Sequence, residues 1–172
     1  MRVPSKMVRA AVAALLVAGS LSGCGFQLRG ANGTYTLPFK SIYVGLPDNS
    51  ALGTELRRNL RAGDQVAIAD KAEGAEAQLV VLSETRGKSI LSLNSLGRVR
   101  EYLLTYTLRF TVRDAKGAEL LPATEISLRR NMAFDETQVL AKESEEALLY
   151  RDMQADLVQQ IIRRLAAIKP AR

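Results

Sequence analysis

The chain contains no histidine, no tryptophan and one cysteine. Histidine is the most common general base and transition-metal ligand, and a lone cysteine cannot form a disulfide within the chain. No glycine-rich phosphate loop of the G-x-G-x-x-G or Walker type is present. Catalysis by carboxylates alone stays open, but the acidic residues cluster in helix-like segments such as 143–146, where a solvated face is the simpler interpretation. We therefore expect a protein that is not an enzyme and holds no metal or cofactor.

The first 24 residues have the organisation of a secretory signal. Three basic residues precede an apolar run from Ala10 to Leu21, which is shorter than the roughly 20 residues that a permanent membrane helix needs. The run ends in Leu21-Ser22-Gly23-Cys24, which resembles the lipobox of bacterial lipoproteins, where the peptidase cuts before the cysteine and the thiol is acylated. The alternative is an ordinary signal followed by a cysteine without a role. We predict removal of residues 1–23 and lipidation, including palmitate, at Cys24.

The mature chain is expected to be held at a membrane surface by this covalent lipid. Two or three acyl chains anchor a protein firmly, whereas one gives only marginal binding. Gly25 follows the cysteine, in place of the aspartate that retains many enterobacterial lipoproteins at the inner membrane. This resemblance implies an outer-membrane protein that faces the periplasm. Loss of the signal reduces the basic excess to 21 Lys and Arg against 18 Asp and Glu, which does not favour a nucleic-acid partner.

The first half of the mature chain predicts a tether, a strand and a helix. Residues 24–40 contain turn signals, and residues 41–169 form one domain that opens with a short β run at 41–45. A helix follows, with Leu52, Leu56 and Leu60 on one face. A small strand is expected at 65–69.

The second half predicts long neighbouring strands and a terminal helix. A strand beginning near residue 78 is expected to bend at Arg86-Gly87-Lys88 and to reach a turn at 94–97. From Tyr102 to Val112 apolar and polar residues alternate almost strictly, so that one face is buried. A tight hairpin at 114–117 leads to a strand at about 119–134, where Pro122 indicates an edge or a bulge.

The terminal helix is predicted from an apolar stripe of Leu149, Met153, Leu157, Ile161, Leu165 and Ile168. Asp135 and Gln138 resemble a capping box at its start, and Pro170 is expected to end it. Its length would reach about 50 Å at ~1.5 Å per residue.

These elements predict an α+β fold. We expect a two-layer sandwich in which a mostly antiparallel sheet of four to five strands packs against two amphipathic helices. The short connection from the first strand to a helix leaves a mixed sheet open.

The mature sequence resembles the LPS-assembly lipoprotein family LptE along essentially its whole length. The resemblance lies in the order and spacing of five segments: Cys24-Gly25-Phe26-Gln27-Leu28-Arg29, Leu52 with residues 55–60, Glu101-Tyr102, residues 140–150 and residues 161–165.

The resemblance implies a function that spacing alone does not. Members of this family sit inside the β-barrel of LptD at the outer membrane, and the pair inserts lipopolysaccharide into the outer leaflet. The lipoprotein would face the periplasm and the barrel lumen as plug, assembly partner and lipopolysaccharide-binding element.

Family resemblance also implies basic lipopolysaccharide contacts at the strand turn and at the start of the last helix. Lys142 matches the helix position, whereas Ser95 replaces the basic residue of the turn, where Arg98 and Arg100 would substitute. The simpler interpretations are a solvated helix lysine and strand-end charges that prevent aggregation.

Two other classes of function remain open on the sequence. The chain could be a solitary periplasm-facing lipoprotein that binds a small ligand or scaffolds another envelope complex. An envelope hydrolase is disfavoured because histidine is absent.

Overall fold

A computed structural model describes residues 36–63 and 66–169. The predicted signal peptide at residues 1–23, the lipidation site Cys24 and most of the tether lie outside these ranges. None of the helices described within them is long and apolar enough to cross a membrane.

The described part of the chain begins with a parallel unit of two short strands joined by a helix. Strand β1 is Ser41–Gly45, helix α1 is Ala51–Ala62 and strand β2 is Ala67–Ala69. The Ser50 hydroxyl accepts a hydrogen bond from the backbone N–H of Gly53 at 3.0 Å, which caps α1. The predicted stripe of Leu52, Leu56 and Leu60 is buried, as expected. Strand β2 is shorter than the predicted 65–69.

The next three strands form an antiparallel meander. They are β3 at Ala77–Leu93, β4 at Val99–Asp114 and β5 at Glu119–Ala133. The bend predicted at Arg86-Gly87-Lys88 is wrong, since β3 pairs with β4 in register through Gly87 opposite Thr105. A Cβ at residue 87 would lie 2.6 Å from the Thr105 hydroxyl oxygen, so any larger residue there would force the Thr105 side chain to move.

Alternation along β4 is confirmed by burial. Leu104, Tyr106, Leu108, Phe110 and Val112 are all 0% exposed and face the helices. The hairpin after β4 is also confirmed, with Gly117 at a φ of 86°, a conformation that glycine adopts without steric cost.

The last helix differs from its prediction at both ends. Asp135 accepts a hydrogen bond from the N–H of Thr137 and caps a 3-10 turn at Glu136–Gln138, so the expected capping box does not form. Helix α2 follows as Val139–Ala166 and ends before Pro170 is reached. Its 28 residues make it about 42 Å long, shorter than expected. The stripe from Met153 to Ile168 is buried.

The predicted α+β fold is confirmed, with a mixed five-stranded sheet in the order β2-β1-β3-β4-β5. Strand β1 is parallel to both neighbours, and the other pairs are antiparallel. Both helices pack on one face of the sheet, and the core lies between these two layers.

Candidate functional site

The turn between β3 and β4 and the start of α2 meet at one end of the fold, which we call the tip (residues 94–100 and 134–142). Asn94 shapes the turn, since its side-chain oxygen accepts hydrogen bonds from the N–H groups of Leu96 and Arg98 at 2.9 and 3.0 Å. The N–H of Phe134 donates to the carbonyl of Arg100 at 2.9 Å, which holds the two halves of the tip together.

All three basic residues predicted to contact lipopolysaccharide lie at this tip. Arg98 forms an ion pair of 3.3 Å with Glu136, joining the turn to the segment that precedes α2. Lys142 pairs with Glu145 one helical turn later at 2.8 Å, and its side chain is only 18% exposed. Arg100 is exposed, and within the described ranges it forms no ion pair. The structure therefore brings the predicted residues to one end, although their role stays a prediction.

A shallow cavity of about 290 Å³ separates the two halves of the tip. It is lined by Asn94, Arg98, Val99, Phe134, Asp135, Glu136 and Thr137. Hydrogen bonds from the backbone N–H and the hydroxyl of Thr137 lower the pKa of the Asp135 carboxyl. Acidic and basic groups thus both border this cavity, and the apolar ring of Phe134 forms part of its wall.

Exposed hydrophobic side chains are the feature of the tip that sequence analysis missed. Leu96 is 77% and Leu140 80% exposed, and Val139 beside it is 44% exposed. Leu93, at the end of β3, is 53% exposed. The sequence did contain signals for this surface, namely Leu96 inside a polar turn and the apolar Val139 and Leu140 ahead of the buried α2 stripe. The tip therefore combines cations with apolar groups on one surface.

A second cavity, of about 620 Å³, lies at the carboxyl ends of β1 and β2. Its Arg57 guanidinium already donates to the carbonyls of Val44 and Leu46. This arginine therefore links α1 to the end of β1. Because its guanidinium is already hydrogen-bonded, we assign Arg57 a structural role in this cavity.

A polar network crosses the middle of the sandwich. The Tyr106 hydroxyl donates to Glu84 at 2.5 Å and accepts from Arg86 at 3.0 Å. Arg86 also donates to the side-chain oxygen of Gln154 at 3.0 Å, and Gln154 donates to Glu55 at 2.6 Å. Burial, reinforced by the hydrogen bond to Glu84, raises the pKa of Tyr106 to about 12. The network joins β3, β4, α1 and α2.

Comparison with known proteins assigns the chain to a family. A family model described as LptE, lipopolysaccharide-assembly, matches residues 39–165. The LPS-assembly lipoprotein LptE of Pectobacterium atrosepticum is 27% identical over 150 residues, which cover 86% of this chain and 79% of that protein.

Two solved structures have the same fold. The solution structure of the uncharacterized lipoprotein B from Nitrosomonas europaea matches with a TM-score of 0.71 at 41% identity, covering 83% of this chain and 91% of that one. The crystal structure of the rare lipoprotein B from Shewanella oneidensis gives 0.65 at 27% identity, covering 74% and 95%. Because the family model spans all five strands and nearly all of α2, this chain belongs to the LptE family of lipopolysaccharide-assembly lipoproteins.

Proposed function

We propose that this chain is an outer-membrane lipoprotein that forms a plug-and-barrel complex with LptD. After removal of residues 1–23 it would be anchored by lipid on Cys24, facing the periplasm and the barrel lumen. It would assist assembly of the barrel and insertion of lipopolysaccharide into the outer leaflet, and it would bind lipopolysaccharide directly. A role in lipopolysaccharide assembly at the outer membrane is that of the family to which the chain belongs.

The observation that carries direct lipid binding is the mixed chemistry of the tip. Arg and Lys form charge-assisted hydrogen bonds with phosphate, and Arg does so with two parallel bonds. Arg98, Arg100 and Lys142 would meet the phosphates of the lipid, while Leu96 and Leu140 would contact its acyl chains. A surface with only charges or only apolar groups would match half of such a ligand.

The ion pairs at the tip do not prevent this contact. Arg98 and Glu136 are 62% and 51% exposed, and exposed ion pairs typically contribute only about 0–1 kcal/mol. A phosphate that carries more negative charge than one carboxylate would therefore displace Glu136 from Arg98 at little cost. Lys142 is more enclosed, so its contact would depend on rearrangement around Glu145.

The open face of the sheet supports the plug role. On β3 and β4 the middle of that face carries hydroxyl groups, namely Ser83, Thr85, Thr105 and Thr107. The interior of a large outer-membrane barrel is polar, and a hydroxyl-bearing surface suits such a wall better than an apolar one.

The first experiment is purification of the acylated protein from its own membranes in mild detergent, with identification of what accompanies it. A stoichiometric large β-barrel is the expected result. A protein that came out alone would refute the plug-and-barrel proposal and leave the solitary lipoprotein as the better explanation.

Direct binding is tested separately with charge reversals. The Arg98→Glu/Arg100→Glu and Lys142→Glu proteins should each bind purified lipopolysaccharide several-fold more weakly than the unmodified protein. Arg113→Glu is the matched control, since Arg113 is exposed near the opposite end of the same strand as Arg100. Equal binding by all variants would refute the contact at the tip.

A further inference from the structure

Strand β3 is paired along only part of one side. Strand β1 pairs with Ala77–Val80 and no further. From Val81 to Leu93 the strand is bonded to β4 on one side, and no strand of the described part of the chain borders the other. This stretch, which we call the open β3 edge, extends over about 40 Å at ~3.3 Å per residue. The Tyr150 hydroxyl of α2 donates to the carbonyl of Gly87 at 2.7 Å. Along the rest of this stretch no strand of the described residues pairs with the outer side, and a strand edge left without a neighbour is a template for a further strand.

Charged side chains that could shield this edge are held against the rest of the fold. Glu84, Arg86 and Lys88 are in register with buried residues of β4 and therefore point to the helix side. Glu84 accepts from Tyr106, Arg86 donates to Tyr106 and Gln154, and Lys88 pairs with Glu146 at 2.6 Å. In the folded chain these three charged groups are therefore engaged on the helix side of the edge.

The opposite edge of the sheet is protected in the usual way. Strand β5 contains Pro122, which cannot donate to a neighbouring strand, together with the exposed charges of Glu125 and Arg129. None of the large hydrophobic side chains found exposed in the described residues lies on β5, whereas four lie on the open β3 edge: Leu82, Ile90, Leu91 and Leu93, each 45–57% exposed. The β5 edge is thus protected against strand addition, whereas the open β3 edge is unprotected and exposes hydrophobic side chains.

We infer that the open β3 edge is a docking site where an extended segment of a partner protein adds as a β-strand. The inference rests on the proposed function in taking the outer-membrane barrel protein as that partner. Main-chain hydrogen bonds would supply affinity, and side chains on alternate positions would supply specificity.

The side chains along the edge specify the partner segment. Hydrophobic residues flank the edge at Leu82 and at Ile90, so the segment would be apolar near both ends. Its centre would be uncharged, because Glu84, Arg86 and Lys88 are already paired within the fold.

The two edges offer matched positions for a test. Thr85 on β3 and Ser127 on β5 both pair with Thr107, and Ser89 and Asn131 both pair with Leu103. Lysines at an edge block strand addition. Thr85→Lys/Ser89→Lys should lower the amount of barrel that co-purifies by about tenfold or more. Ser127→Lys/Asn131→Lys should leave it within about twofold, and thermal unfolding of the purified variants checks that both remain folded.

Hydrogen exchange of the unmodified protein gives a second readout that needs no variant. Backbone amides of residues 81–93 should exchange at least about tenfold more slowly in the barrel complex than in the isolated chain, while those of β5 change less. Protection confined to the edge would support strand addition even if the lysine variants folded poorly.

The outcomes separate the two proposals. Absence of a barrel from the unmodified preparation refutes the proposed function. If the barrel remains bound to the Thr85→Lys/Ser89→Lys variant, the docking site is overturned and the proposed function stands. The same conclusion follows if both double variants lose the barrel equally. Edge protection in a dimer of this chain without the barrel would overturn it in favour of self-pairing.

Discussion

The hydroxyl of Tyr106 provides a quantitative test of how the two layers are held together. Its ring is 0% exposed, and the hydroxyl donates to Glu84 and accepts from Arg86. Burial raises its pKa from 10.0 to about 12, and the bond to Glu84 acts in the same direction. The folded chain therefore keeps this tyrosine protonated over a range in which the unfolded chain releases the proton.

The sign of the effect follows from that difference. Because the pKa of Tyr106 is higher in the folded state, its contribution to stability is complete below pH 10 and is lost as the pH rises towards 12. One pKa unit corresponds to about 1.4 kcal/mol, so the loss across this window is roughly 3 kcal/mol. Tyr150, whose pKa is also raised by burial, adds a further alkaline loss of its own.

The Tyr106→Phe variant separates the contribution of the Tyr106 hydroxyl to stability from that of Tyr150. At pH 8 the variant should be less stable by about 1–3 kcal/mol, because Glu84 and Arg86 each lose a partner. Since phenylalanine does not titrate, the difference between the two proteins should shrink from pH 10 upward, while the contribution of Tyr150 cancels. Urea unfolding of both proteins at several pH values from 8 to 11.5 measures this. A difference that stays constant across the range would refute the assigned role of Tyr106.

Four further perturbations have defined outcomes. Leu157→Ala, at a position that is 0% exposed, should cost about 2–5 kcal/mol in urea unfolding, and a cost below 1 kcal/mol would contradict its place in the core. Asp135→Ala should destabilise the protein more at pH 7 than in strong acid, since the lowered pKa of Asp135 makes its contribution complete above about pH 4 and progressively lost as the pH falls through the pKa of the folded state; an equal loss at both pH values would contradict this. Gly117→Ala should lower the melting temperature, because its φ is 86°, whereas Gly63→Ala, at a φ of −79°, should not. Cys24→Ala should abolish palmitate labelling of the protein in cells, and continued labelling would refute lipidation there.

Local signals in the sequence predicted most of the fold. Alternation from Tyr102 to Val112 encodes a half-buried strand because successive side chains point to opposite faces. The stripe from Met153 to Leu165 encodes a helix that packs on one side, because residues three or four positions apart lie on the same face of a helix. Glycine at residue 117 marks the hairpin through its backbone freedom. Each of these features depends on neighbours within a few positions of the same chain.

Predictions that depended on distant partners fared less well. Gly87 between two charged residues was interpreted as a bend, but its reason lies 18 residues away at Thr105, on which it packs closely. Asp135 and Gln138 fit a capping box by spacing, yet the chain forms a 3-10 turn there before α2 begins. Spacing alone does not reveal which of two local hydrogen-bond patterns the surrounding contacts favour.

The candidate site shows the same difference between what local sequence predicts and what depends on distant contacts. By itself the sequence determined that the chain resembles a lipopolysaccharide-assembly lipoprotein, which basic residues to consider, and the α+β architecture. Only the tertiary structure decided that Arg98 and Arg100 share one tip with Leu140, and that β3 continues past β1 as an open edge. The physical reason is that exposure and strand pairing depend on where other elements stop, and the five-residue length of β1 is what leaves the far half of β3 without a neighbour.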